Sequence, residues 1–188
     1  MRPNPSNQKE PIVKAPRHVV FSHGLESGPW GAKISALAPI AKAEGYEVDS
    51  VDYTDIRSPA ERITRLVDAC NAKKGELVLV GSSLGGYVSV AAAGALHARA
   101  VFLMAPAFYR PELPELRTRI LDCPTCVVHG WRDDVIPVDS SIRFAREHRA
   151  ELHVLDGDHG LRAQLPTLIA LFEYFLISIE LLPERRKR

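Results

Sequence analysis

The sequence predicts an α/β protein, a single doubly wound domain of about six mostly parallel strands flanked by helices. Three observations predict it. Short runs rich in Val, Leu and Phe recur along the chain, as expected of strands buried on both faces. Segments of helical periodicity separate these runs, and such alternation builds a parallel sheet through right-handed crossovers. The chain has 188 residues, 46% apolar and 25% charged. That is enough for one domain with a substantial core and too little for two.

Each element has its own justification. "HVVFSH" (18–23) has an apolar centre and ends in a Gly-rich turn, so it reads as the first strand. "GAKISALAPIAKAEG" (31–45) carries helical periodicity and stops at Gly45, with Pro39 expected to break or bend it. "YEVDSVDY" (46–53) is the second strand. "SPAERITRLVDACNAKKG" (58–75) is a helix with Ser58 as N-cap, Pro59 at the first position and Gly75 past the end. "ELVLV" and "LGGYVSVAAAGALHA" supply the third strand and its helix, and "RAVFLMAP" (99–106) the fourth strand. Residues 107–122 are Pro-rich with room for one short helical stretch. "TCVVHG" is the fifth strand, "VDSSIRFAREHR" (138–149) a helix, "AELHVLD" (150–156) the sixth strand and "LPTLIALFEYFLISI" (165–179) a closing amphipathic helix.

Residues 1–16, polar and proline-rich, read as a flexible N-terminal arm, residues 17–180 as the folded domain, and 181–188 as a solvated basic tail. A net charge of +1 gives no electrostatic case for nucleic acid or an anionic membrane surface. No run approaches the length of a membrane span, and the N-terminus has no apolar core of a secretory signal, which points to a cytoplasmic protein. The pair in "CPTC" (123–126) opens a strand, whereas redox pairs open helices, and no second pair completes a zinc site. Cys126 therefore reads as small core filler and no metal is expected.

In a doubly wound sheet, ligand sites lie at the C-terminal ends of the strands. "GLESGPWGAK" after the first strand fails as a phosphate loop, because Ala32 stands where the glycine before Lys33 must be and Ile34 follows it. "GSSLGG" fails as a dinucleotide loop, because Ser83 replaces the second glycine. "GSSLG" (81–85) does satisfy G-x-S-x-G between a strand and a helix. The pattern forces its central residue into a strained turn and needs glycines where strand and helix crowd each other. Ser83 is then the nucleophile and Ser82 a spacer.

A serine hydroxyl needs a base, and the base an orienter. His159, in "DGDHG" (156–160) after the sixth strand, supplies the base. It must be neutral to take the proton, so activity should decline on acidification. The fifth strand leads into "HGWRDDVIP" (129–137), which offers Asp133 or Asp134 as the acid. His23 and His129 end strands and read as structural. The oxyanion hole takes one N–H from Leu84 at the helix start and a second from the loop after the first strand, with Leu25 the candidate. Trp30, Phe108, Tyr109, Trp131 and Leu161 lie on or near the same loops. Trp30, Tyr109 and Trp131 are the candidates to wall a short acyl pocket, while some of the five are expected to be core only, since large aromatics at strand ends usually bury themselves.

Together "FSHGLESG", "GSSLGG", "HGWRDDVIP" and "DGDHGL" make the chain resemble the α/β-hydrolase superfamily over residues 17–178, and within it the small bacterial serine esterases without a cap. The resemblance implies a triad of Ser83, Asp133 and His159, oxyanion donors at Leu25 and Leu84, carboxylic esters, thioesters and related acyl compounds as substrates, and no cofactor. The short pocket the loops suggest favours small acyl groups. Two departures stand out. The strands that usually precede the first have no room, and only residues 107–124 stand where a cap would be inserted. The other function class open to such a chain is a hydrolase-fold binding or interaction protein with little or no turnover.

Overall fold

Strands β1 (Arg17–Ser22), β2 (Glu47–Val51), β3 (Glu76–Ser82), β4 (Ala100–Met104), β5 (Thr125–Gly130) and β6 (Glu151–Leu155) join in one sheet of order β2-β1-β3-β4-β5-β6. Every pairing is parallel. The computed structural model describes residues 15–114 and 121–183. Most of the expected N-terminal arm and basic tail, and part of the short helical stretch expected within 107–122, lie outside the described residues.

The helices are α1 (Ala32–Ala43), α2 (Pro59–Asn71), α3 (Leu84–Ala93), α4 (Val138–His148) and α5 (Leu165–Glu180). Alternation along the strands decides what each helix covers. Val19, Phe21, Val78, Val80, Phe102 and Met104 face α1 and α5. Their neighbours Val20, Leu79, Val101 and Leu103 face α2, α3 and α4. On the first face, Phe102 meets the Phe172 ring edge-on at 5.1 Å and Phe175 at 5.5 Å. Cys126 is buried in that core, and its burial pushes the thiol up, which makes it inert filler.

Local chemistry sets the helix ends. Ser58 Oγ accepts the Glu61 N–H at 3.4 Å, and Pro59 opens α2. Gly45, at φ +81°, ends α1: its N–H donates to Lys42 O and the Tyr46 N–H to Ala41 O, the paired bonds of a Schellman stop. Pro39 does not break α1, which runs through it. The proline deprives only the Ser35 carbonyl of a donor, and both residues lie on the exposed face, where that carbonyl is open to solvent.

Chain order sets the location of the site. From β1 the chain moves outward to β2, then returns to lay β3 on the other side of β1 and continues to β6. The order reverses between β1 and β3, and in doubly wound sheets ligand sites lie at such a reversal, at the C-terminal ends of the strands. Ser22 and Gly81 are register partners there, immediately before the loops that carry Leu25 and Ser83. No helix among the described residues is long and apolar enough to cross a membrane.

Candidate active site

Ser83 stands between β3 and α3 at φ 54° and ψ −121°, a backbone geometry that ordinary residues avoid. Its neighbours have no space for side chains. A Cβ on Gly81 would stand 2.4 Å from Gly85 O, and one on Gly85 2.0 Å from Ser22 O. The turn is fastened to β4: Ser83 N–H donates to Met104 O at 3.0 Å, and Ser83 O accepts from Gly86 and Ala107 at 2.9 and 3.0 Å. Ser83 is partly exposed, and its hydroxyl does not cap α3. Leu84 is the first residue of α3, so its N–H has no partner inside the helix. Ser82 is buried beside it as a spacer.

The second half of the site is assembled by the loops after β5 and β6. These loops interlock: Trp131 N–H donates to Leu155 O at 2.8 Å and Arg132 N–H to Gly157 O at 2.9 Å. A Cβ on Gly130 would stand 2.3 Å from Gly157 O. Between them His159 Nδ1 lies 2.7 Å from Asp133 Oδ2. Asp134 is exposed to solvent, Asp156 pairs with Arg132, and Asp158 Oδ1 accepts the Leu161 N–H at 2.9 Å. Asp133 is thus the carboxylate on His159.

The Asp133 side chain is fully buried. Burial pushes its carboxyl up, but the Ile136 and Val135 N–H groups, which donate to Oδ1 at 2.8 and 2.9 Å, and His159 outweigh burial. They hold it below the usual carboxylate range, so it is an anion at neutral pH. Its partner His159 then donates from Nδ1–H, which leaves Nε2 with the lone pair a general base needs. The His159 side chain is 22% exposed, so the pair is not sealed from the surface. Among the described residues no hydrogen bond joins Ser83 Oγ to His159, and catalytic hydrogen bonds of this kind commonly tighten only around a substrate.

Three groups at the site escaped sequence reading. His129 is buried, with Nε2 3.0 Å from both Asp133 Oδ2 and Ile136 O and Nδ1 2.7 Å from Ser141 Oγ. Burial pushes this imidazole down, so its neutral form donates from Nε2 and accepts the serine hydroxyl at Nδ1. It reads as structural in the sequence, and it is, but it also faces the acid. Lys33, on α1, donates from Nζ to His159 O at 3.0 Å. Burial pushes its ammonium down to about 8, against the pull of Asp133 and Asp158. A lysine in the first turn after a Gly-rich strand-end loop was the available signal. The third group, Arg62, gave no signal, since "SPAERITR" reads as an ordinary solvated helix start.

The aromatic wall is only partly present. Trp30 and Trp131 are 53% and 58% exposed at the strand-end loops. Tyr109 donates its hydroxyl to Glu147, and Arg143 lies over its ring at 3.9 Å. Phe108 and Leu161 are buried: Phe108 stacks on Phe144 at 4.0 Å between ring centroids, so both are core and not wall. A surface depression of about 440 Å³ lined by Pro16, His18, Glu47 and Lys73 lies at the opposite, N-terminal end of the strands, away from Ser83.

Comparison with known proteins agrees with this architecture. The model of an uncharacterised protein family (UPF0227) matches residues 18–120. No curated protein matches the chain. Among solved structures, an alpha/beta hydrolase superfamily protein from Xanthomonas campestris pv. campestris is 33% identical, with a TM-score of 0.80 over 86% of this chain and 99% of its own. Est1E from Butyrivibrio proteoclasticus, at 15% identity, reaches a TM-score of 0.76 over 88% of each chain. An esterase from Pyrococcus furiosus, at 14%, reaches 0.72 over 87% of this chain and 82% of its own. The last two similarities are of fold alone.

Proposed function

We propose that this chain, which belongs to the α/β-hydrolase superfamily and within it to the uncharacterised family UPF0227, is a serine hydrolase that cleaves small carboxylic esters or thioesters. The observation that carries the reading is a 2.7 Å Asp133–His159 pair at the same sheet edge as a serine held at φ 54°. A binding surface has no need of that strain or of a buried carboxylate aimed at an imidazole. The names of two fold neighbours, an esterase and Est1E, support the choice of ester chemistry.

The mechanism follows from the chemistry of the parts. Ser83 Oγ attacks the acyl carbon while His159 Nε2 takes its proton. Leu25 and Leu84 N–H groups receive the oxyanion that forms. His159 returns the proton to the leaving alcohol or thiol, and an acyl-enzyme on Ser83 remains. Water, deprotonated by the same imidazole, releases the acid. Asp133 keeps Nδ1 protonated and favours the imidazolium throughout. Every one of these groups is a side chain or backbone N–H of this chain, so the reaction needs no cofactor. Among the described residues no helix stands between β4 and β5, where a cap would be inserted, and the exposure of Trp30 and Trp131 on strand-end loops supports a wall for small acyl groups.

A turnover screen of acyl esters and thioesters tests the reading, with Ser83→Ala as control. Under it, Ser83→Ala loses roughly 1,000-fold or more in kcat and all labelling by a fluorophosphonate. A wild-type chain that neither turns over nor labels would instead be a binding protein on a hydrolase scaffold.

A further inference from the structure

Arg62 is the largest fully buried side chain, 1% exposed, and no carboxylate among the described residues lies within 4 Å of it. A guanidinium taken out of water without a counter-charge is costly, and a helix position could carry an apolar residue instead. Its donors all go to backbone carbonyls of two loops. Nε donates to Ile56 O at 2.8 Å and Nη2 to Tyr53 O at 3.3 Å, in the loop between β2 and α2. Nη1 donates to His23 O and Gly24 O, each at 3.3 Å, in the loop between β1 and α1. The planar fork of arginine fixes these carbonyls relative to one another, which a lysine could not do.

The Gly24 carbonyl is held twice. Besides Arg62, His23 Nδ1–H donates to it at 2.7 Å, while His23 Nε2 accepts the Tyr53 N–H at 2.9 Å. This second bond fixes the imidazole as the neutral Nδ1–H tautomer. Gly24 itself lies against the elbow: a Cβ built on it would stand 3.2 Å from Ser83 Cβ. In a planar trans peptide the C=O and N–H point in opposite directions. Holding Gly24 C=O toward Arg62 and His23 therefore turns the Leu25 N–H away from them, to the strand-end face where Leu25 is exposed.

We infer that Arg62 is a positioning residue for the oxyanion hole: with His23 it locks the Gly24–Leu25 peptide so that its N–H is preset for the developing oxyanion. The inference rests on the serine-hydrolase reading above. It explains why a charge is buried where an apolar side chain would pack, since a preset donor needs no reorganisation during reaction.

The test is Arg62→Met, which keeps bulk and removes the donors, read by steady-state kinetics and by affinity for phenylboronic acid. The boronate adds to Ser83 Oγ with the proton passing to His159, and its tetrahedral anion mimics the oxyanion state. The expected result is a kcat about 10- to 100-fold lower, a KM within about threefold of wild type, and boronate affinity falling in step with kcat. A kcat within about threefold of wild type, or a lower kcat with boronate affinity intact, overturns the inference.

Where Arg62→Met does not fold, the pair His23→Asn and His23→Gln decides. Asn can place an amide donor near the Nδ1 position, whereas Gln reaches only toward the Nε2 position. His23→Asn should keep the higher kcat, and equal or reversed values overturn the inference. Wild-type protein that neither hydrolyses esters nor labels at Ser83 sinks the parent reading and this one with it. Wild-type turnover matched by Arg62→Met sinks this one alone.

Discussion

Leaving aside exposed pairs such as Arg132–Asp156, the two ends of the sheet treat buried and partly buried charge in opposite ways. At the N-terminal ends of the strands, cations meet carboxylates or helix carbonyls: Arg17 pairs with Glu180 and Lys73 with Asp49. Arg99 there faces Glu76 and donates from Nη2 to Ile179 O and Leu182 O, 2.8 Å each, at the end of α5, where the helix dipole also favours a cation. At the C-terminal ends, Arg62 is buried among backbone carbonyls and against the Tyr53 ring with no carboxylate on it, Lys33 is pushed down to about 8 by burial, and the Asp133 carboxylate lies between two imidazoles. The first arrangement stabilises the fold. The second costs stability and persists where chemistry needs groups held in one protonation state and one direction.

That comparison can be broken most sharply at Asp133. Asp133→Asn keeps shape but removes the charge that sets the His159 tautomer, so kcat should fall about 10,000-fold with the fold intact by circular dichroism. A fall of less than about tenfold would mean that another group orients His159. Arg99→Met is the converse experiment. Urea denaturation should show a loss of about 1–3 kcal/mol, from lost charge-assisted hydrogen bonds, with kcat/KM unchanged. Lost turnover in that variant would erase the distinction between the two ends.

The smallest expected effect is at Lys33. Its pKa is lowered from 10.5 to about 8, so between these values the unfolded chain binds the proton more tightly than the folded one. Stability from this group therefore rises with pH across that window, and the cost of burying the ammonium is fully present below it. Lys33→Met has no such proton to lose. Its stability relative to wild type should be greatest near about pH 7 and shrink toward about pH 10, as read from paired urea titrations. A pH-independent difference would mean that the ammonium is solvated.

Much of the fold and part of the site can be read from residue identity. Six apolar runs, the Ser58–Pro59 helix start and the Gly45 stop are local signals, and each element appears within a few residues of its expected place. The Ser83 elbow is also local, because its glycines exclude side chains within a single turn. Choosing between Asp133 and Asp134 took a resemblance, since adjacent residues differ only in the direction they point. Arg62 was illegible: on a helical wheel it is one more polar residue, and only the packing of α2 under two loops buries it. Sequence leaves Phe108 and Leu161 open between pocket wall and core. They sit at strand ends, where aromatic and aliphatic groups can wall a pocket or fill a core, and neighbours such as Phe144 decide which.

By itself, the sequence determined the alternation of elements, the strained serine and the absence of a long apolar span, because these rest on contacts between near neighbours along the chain. The tertiary structure alone decided which carboxylate meets His159, that His129 and Lys33 attend the pair, and that a buried guanidinium braces the loop of Leu25. Apart from His129–Asp133, four residues apart, those contacts join residues 26 to 126 positions apart, and their geometry depends on strand order and helix placement, which no short stretch of sequence contains.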